Sequence, residues 1–479
     1  MNIKKVLNLI GFLMMLEAIF MMLPLIVSFI YKESVGIHFL ICILILLMIG
    51  LVLQRIFVSD NRFYSAEGFV TVSLGWIILS IFGAIPFYFS KEIPNYLDAI
   101  FETVSGFTTT GATILNDASK LSKSMNFWRC FTHFVGGMGV LVLMLAIIPT
   151  KSENMQIMKA ESPGPQVGKL VSKVSDTARM LYLIYVALTL IAIVSYKISG
   201  MPLYDSICIG FGTAGTGGFV VTSNGCAAYS PLSQNLIATF MLLFGINFNV
   251  FFLIIIKKFK DAFFSEELRV YFIIVIVSVL IIFINILSMY SSWKNALHTS
   301  YFHVASIITT TGFACDDFAK WPELSQALLL FLMICGGCAG STAGGIKVSR
   351  IIISYKIATN EIYSQLHPSS VKIIKFEDKP VQFETVRTVL TYVVIYCLFC
   401  LVGIILISIE NFDFATTVSS VLETFNNIGQ GLSKVGPTGN FSIFSPFSKI
   451  IFIILMLTGR LEIFPIIILF SKKTWKRSS

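Results

Sequence analysis

The amino-acid sequence predicts an all-α polytopic membrane protein: four tandem helix–pore loop–helix repeats around one pore, plus two N-terminal transmembrane helices. Three observations carry this expectation. Of the 479 residues, 56% are hydrophobic and only 13% charged, with no long polar stretch to form a separate soluble domain. Apolar runs of about 20 residues, the length that crosses a bilayer core, recur along the whole chain. Between them lie four shorter apolar segments, each closed by a cluster of Thr, Asn and Gly, at a spacing of about 100 residues.

The long runs place candidate spans at 6–31, 37–57, 67–90, 126–149, 178–199, 232–256, 268–291, 324–350, 386–409 and 447–471. The first run has no small-residue cleavage site behind it and reads as a retained span. The expected organisation is 1–60, two extra N-terminal helices; 61–150, pore repeat 1; 151–260, a cytoplasmic linker and pore repeat 2; 261–352, pore repeat 3 with an interrupted second helix; 353–479, a cytoplasmic linker and pore repeat 4. Threading the chain with Lys4 and Lys5 inside places most of the 35 lysines and arginines on that side, among them Lys257, Lys258, Lys260, Lys356, Lys472 and Arg477. This is the positive-inside bias, so the net charge of +9 records orientation and calls for no nucleic-acid partner. Both termini are then expected in the cytoplasm. The pairs Cys335/Cys338 and Cys397/Cys400 have metal-site spacing, but no histidine lies nearby to complete a zinc set. Cysteine acts here as a small apolar residue.

The four short segments read AIFETVSGFTTTGATIL from Ala99, SICIGFGTAGTGGFVV from Ser206, HVASIITTTGFACDD from His303 and SSVLETFNNIGQGLSKVGP from Ser419. Each is too short to span. Each is expected to be a half-length helix that enters from outside, followed by an extended return. The glycines align as Gly111, Gly217, Gly312 and Gly429, with Phe107 and Phe425 four residues before theirs. Asp98, Asp205 and Asp413 stand near three helix starts, where a carboxylate can cap free amides; Asn295 takes that place in the third.

Non-helical backbone at membrane depth must line a polar cavity or be buried in protein. Four such strands on one axis offer rings of carbonyl oxygens that can replace an ion's hydration shell. Glycine permits left-handed backbone and leaves no side chain in a narrow passage. The carbonyl ends of the preceding helices favour a cation. The candidate cation-binding filter is Thr109, Thr110 and Gly111; Gly215, Thr216 and Gly217; Thr310, Thr311 and Gly312; Asn427, Ile428 and Gly429.

Two further features lie below the filter. CGGCAGSTAGGIK, from Cys335, packs Gly336, Gly337, Gly340, Gly344 and Gly345 into ten residues, ending at Lys347. Such a run cannot hold a helix and is expected to break its span at mid-depth, where a flexible segment can act as a gate. It lacks the Gly-Lys-Ser/Thr ending of a phosphate loop. Arg460, inside the last span, is expected in the cavity under the filter near that break, or else paired with Glu462 or a carbonyl. These features predict a pore controlled from one side by its third and fourth repeats.

SGFTTTGAT, GTAGTGGF, ITTTGF and NNIGQG resemble, in order, the four filters of the Trk/Ktr/HKT superfamily of potassium transporters. GGCAGSTAGGIK resembles its intramembrane loop and TGRLEIFP its final-span arginine motif. ESPGPQVGKLVSKVSDTARMLYLIY, from Glu161, and the two extra N-terminal helices resemble the TrkH-type branch in particular. Gln430 departs from the proline that many relatives carry. The resemblance implies potassium uptake across a bacterial cytoplasmic (inner) membrane, with K+ as the transported ion and no prosthetic group. It also implies a homodimer embedded in membrane lipid and a cytosolic TrkA-type nucleotide-binding regulatory subunit. In plant relatives a serine at the first filter position accompanies sodium transport; here it is Gly111.

Two other classes fit less well. An alternating-access potassium symporter coupled to protons or sodium would show paired inverted repeats, whereas these four units run in the same direction. An enzyme would need clustered ionisable groups, and neither His133 nor His303 has a ligand set or a neighbouring carboxylate in sequence.

Overall fold

The computed structural model describes residues 1–57, 65–139, 174–368 and 373–475. Expectations for residues 140–149 of the fourth candidate span, and for the linker from Glu161 up to residue 173, lie outside the described residues. The chain is an all-α bundle whose long helices expose Ile, Leu, Val and Phe side chains outward, the surface a bilayer solvates.

α1 (Ile3–Ile30) and α2 (Gly36–Ile56) form an antiparallel hairpin. They cross where Gly11 faces Gly50: a Cβ on either would lie within 3 Å of the other's carbonyl oxygen. Small residues let two backbones meet this closely in an apolar medium. The first repeat follows as α3 (Ser65–Gly83), α4 (Ile85–Phe89), pore helix α5 (Tyr96–Phe107) and α6 (Lys123–Gly137). The second is α7 (Val174–Ile198), pore helix α8 (Leu203–Gly215), α9 (Pro231–Phe244) and α10 (Phe248–Ile255). The third is α11 (Glu266–Ile286), pore helix α12 (Trp293–Ile308), α13 (Glu323–Cys335) and α14 (Val348–Leu366). A two-stranded hairpin, β1 (Lys375–Phe376) and β2 (Lys379–Pro380), leads to the fourth: α15 (Phe383–Ile407), pore helix α16 (Phe414–Phe425), α17 (Pro446–Arg460) and α18 (Phe464–Phe470).

The repeat extends to small details. The helix after each filter begins with a serine N-cap in three units, Ser122, Ser230 and Ser445. Four residues on, Asn126, Gln234 and Gln326 each donate an amide proton back to the short turn that precedes their own helix. In the fourth unit Lys449 takes this place and instead donates at 2.6 Å to Asp98 of the first pore helix, tying the last repeat to the first.

Several expectations change. The pore helices begin earlier than the apolar segments imply, so His303 lies inside its helix rather than at the start. Of the proposed acidic caps only Asp413 caps its helix; Asn95 and Ser292 cap two others, because a cap must precede the first turn. Asp98 instead pairs with Lys449, and Asp205 accepts from the Tyr229 hydroxyl. The span expected at 232–256 bends by 89° between α9 and α10, and that at 447–471 bends by 119° between α17 and α18. The break expected only in the third repeat is therefore shared with the second and fourth: α9 ends at Phe244, α13 at Cys335 and α17 at Arg460, while α6 ends at Gly137, close to the edge of the described residues. The fourth bend places Glu462 and Ile463 at φ of 56° and 70°, a costly setting for a β-branched residue, with Pro465 opening α18.

Candidate functional site: a ring of four strands and the loop beneath it

The strands after the four pore helices share one backbone signature. A residue with positive φ is followed two places later by a glycine with positive φ: Thr109 and Gly111, Thr216 and Gly218, Thr310 and Gly312, Asn427 and Gly429. The residue between donates its N–H to a carbonyl five positions back: Thr110 to Ser105, Gly217 to Gly212, Thr311 to Ser306 and Ile428 to Glu423, all at 2.8–2.9 Å. This corrects the expected alignment. The second-repeat partner of Gly111 is Gly218, not Gly217, and Gly215 ends the pore helix, so the strand is Thr216, Gly217 and Gly218. GTAGTGGF offers two adjacent glycines, and only the left-handed backbone distinguishes them.

The strands close into a ring. A Cβ on Gly111 would strike the carbonyl oxygen of Gly217; one on Gly218 that of Thr311; one on Gly312 that of Ile428; one on Gly429 that of Thr110. The contacts thus run from repeat 1 to 2, 3, 4 and back to 1. Glycine is required at these four positions both by backbone angle and by space. Each strand is entered from the carbonyl end of its pore helix, whose partial negative charge favours a cation.

Several polar side chains pair behind the ring. Thr108 Oγ1 and Thr110 Oγ1 lie 2.8 Å apart, as do Thr309 Oγ1 and Thr311 Oγ1. Asn427 donates to Thr110 Oγ1 at 2.8 Å, and Tyr396 donates to Asn426 at 2.9 Å. His133 joins two repeats. Its Nδ1 lies 2.8 Å from the Gly106 carbonyl, its Nε2 accepts from the Phe219 N–H at 3.3 Å, and its ring packs 4.2 Å from Phe219. An ion pair that sequence reasoning missed stands beside it. Arg129 donates to Glu102 at 2.5 Å and to the Val220 carbonyl at 3.0 Å, while Glu102 accepts from Thr113 Oγ1 and the Ile114 N–H. Both side chains are fully buried, so the pair holds the first and second strands in a setting where neither charge could stand alone.

Directly under the ring lies the glycine-rich segment 336–347. It is non-helical, with Gly336, Gly340, Gly345 and Lys347 at positive φ. It is not slack. The Cys338 N–H donates to the Gly245 carbonyl at 3.0 Å and the Phe248 N–H to the Gly340 carbonyl at 3.1 Å, so the bend of the second repeat grips the loop of the third. The Ala339 N–H donates to Glu267 at 2.7 Å. The Gly344 N–H donates to Thr310 Oγ1 at 2.6 Å, and a Cβ on Gly344 would strike the Asn426 carbonyl, which seats this residue against the filter's deep end. Gly337 packs within the loop, its Cβ position beside Ala343 and the Gly245 carbonyl. Lys347 donates to the Ala343 carbonyl.

Arg460 is the last residue of α17 and donates to the carbonyls of Thr342, in the loop, and of Gly136 and Gly137, at the end of α6. Helix-terminal carbonyls supply the negative partial charge that a guanidinium needs at this depth. Glu462 pairs with Arg350 of α14. One cavity is lined by Asn427 of the filter, Gly344 and Lys347 of the loop, Arg460 and Trp76. The expected filter and loop residues therefore meet at one place, with Gly218 added and Gly215 set just outside.

The TrkH family profile, described as a cation transport protein, matches residues 36–477. The Trk system potassium uptake protein TrkH of Salmonella typhimurium is 35% identical, across 99% of this chain and 100% of its own length. TrkG of Escherichia coli, also a Trk system potassium uptake protein, is 32% identical over 99% of each chain. The crystal structure of the potassium transporter TrkH from Vibrio parahaemolyticus superposes with a TM-score of 0.88 at 30% identity, covering 99% of this chain and 100% of that one. A fourfold pore-loop architecture and similarity along the full length agree: the chain is a membrane transporter, not an enzyme, and belongs to the TrkH family of cation transport proteins.

Proposed function

We propose that this protein carries potassium into the cell through a gated, carbonyl-lined filter, driven mainly by the membrane potential. The observation that carries the reading is the closed ring of left-handed glycines at 111, 218, 312 and 429. Four glycines leave the ring free of side chains, and the threonine and asparagine walls brace the carbonyls that replace a cation's water. A potential of 100 mV supplies about 2.3 kcal/mol per charge, enough to concentrate a monovalent cation substantially. The loop 336–347 is the gate: Gly336, Gly337, Gly340, Gly344, Gly345 and Lys347 give it its path, and Arg460 holds it under the filter. The membrane is the bacterial cytoplasmic membrane with both termini inside, and the protein works as a homodimer with a cytosolic nucleotide-binding subunit of the TrkA type. The positive-inside bias and the likeness to Trk potassium uptake proteins support these assignments.

The test is rubidium uptake by the purified protein in liposomes, against competing sodium, under separately imposed voltage, proton and sodium gradients. Uptake is expected to follow voltage alone, and Gly111→Ser to lower the preference for rubidium over sodium. Uptake that requires a proton or sodium gradient would establish the symporter instead. An unchanged ion preference in Gly111→Ser would remove the filter assignment.

A further inference from the structure

The hairpin β1–β2, on the side of the molecule where α11 begins and α14 ends, makes contacts that reach the loop under the filter. Its two turn residues, Glu377 and Asp378, both have positive φ, at 51° and 58°. A two-residue turn of this kind normally takes Asn and Gly. Here the setting aims the Glu377 carboxylate at the first turn of α11, where it accepts from Ser265 Oγ at 2.7 Å and from the N–H groups of Glu266 and Glu267, each at 3.1 Å. Lys356 of α14 closes the other side, pairing with Glu266 and donating to the Lys375 carbonyl at 2.8 Å.

Glu267, whose own N–H Glu377 holds, points the opposite way. Its carboxylate accepts from the Ala339 N–H at 2.7 Å and from the Ser349 N–H at 3.1 Å. Ala339 belongs to the 336–347 loop, and Ser349 stands just beyond it in the first turn of α14. One carboxylate therefore pins both flanks of the loop. Hairpin, α11, loop and α14 form a continuous hydrogen-bonded circuit from the hairpin turn to the deep end of the filter.

We propose that Glu377 and Glu267 are positioning residues for transport: the hairpin fixes the first turn of α11, and Glu267 thereby holds the loop closed. This rests on the reading of the loop as the gate. A double-mutant cycle measures whether the two carboxylates act through one another.

Cys338, buried in the loop, is a native reporter of its position. The full-length protein in liposomes is treated with N-ethylmaleimide, Cys338 modification is followed by peptide mass spectrometry, and rubidium flux is measured in parallel. Glu267→Gln and Glu377→Gln are each expected to speed Cys338 modification about tenfold and to raise basal flux several-fold. The double variant is expected to match Glu267→Gln alone. Glu377→Asp, which keeps the charge on a shorter arm, is expected to fall between wild type and Glu377→Gln, and it serves where Glu377→Gln does not fold. The preference for rubidium over sodium stays at wild type throughout, since the filter is untouched. Wild-type modification rates in both Glu377 variants, or effects that multiply in the double variant, would overturn the proposal. Faster Cys338 modification with unchanged flux would uphold the circuit and remove the gate reading instead.

Discussion

The filter ring and the layer directly beneath it are made by the same four repeats, yet they obey different rules. In the ring all four units present the same backbone: a residue at positive φ, one residue outside that region, then glycine at positive φ. Beneath it the described segments of the four units diverge. The first ends its helix at Gly137, the second turns by 89° at Gly245–Asn247, the third unravels over 336–347 and the fourth turns by 119° after Arg460. Coordination of one ion on an axis rewards sameness, because each repeat supplies an equivalent carbonyl. Obstruction of that axis requires that one repeat reach across and that the others hold it. The second repeat offers Gly245 and Phe248, and the first and fourth meet at Arg460.

The contrast can be broken most severely at its support. Glu102→Ala leaves Arg129 buried without its partner, a loss of about 3–5 kcal/mol that is expected to deplete folded protein. Thermal unfolding in detergent measures it. Next comes the register of the ring. Gly218→Ser is expected to lower the rubidium-over-sodium preference as much as Gly111→Ser does, by about tenfold, the scale of 1.4 kcal/mol. Gly217→Ala, whose added methyl meets the His133 ring and not a ring carbonyl, is expected to leave ion preference unchanged and to lower stability. Competition flux on the pair reads the difference; equal selectivity losses would restore Gly217 as the glycine aligned with Gly111. The smallest effect belongs to the lower layer. Arg460→Gln keeps two donors but removes the charge, and is expected to raise basal flux a few-fold with ion preference intact, as measured by rubidium uptake.

The ring was legible in sequence because its requirement is local: a short helix, a threonine or asparagine, a glycine. It failed by one residue at the one strand where two glycines adjoin, since spacing cannot report a dihedral angle. The bends below were illegible for a different reason. Hydropathy counts apolar residues in a window, and Pro231–Phe244 with Phe248–Ile255 passes that count whether straight or bent. What bends it is a tertiary bargain between Gly245 and Cys338, 93 positions apart in the numbering. The Arg129–Glu102 pair escaped notice because each charge sits singly in its own helix, and only the packing of α5 on α6 brings them together. The glycine-rich break and the arginine were legible as composition, but not their partners: the carbonyls that Arg460 holds come from two distant segments.

Asn427 meets Thr110 across 317 positions of chain, and Lys449 meets Asp98 across 351. The ribosome delivers the first three strands well before the fourth. Until Gly429 arrives, the carbonyls of the early strands form an open trough with one wall missing, and no enclosed path exists. Conduction therefore begins only when the last quarter of the polypeptide docks on the first, and a chain truncated before that quarter has no ring to leak through.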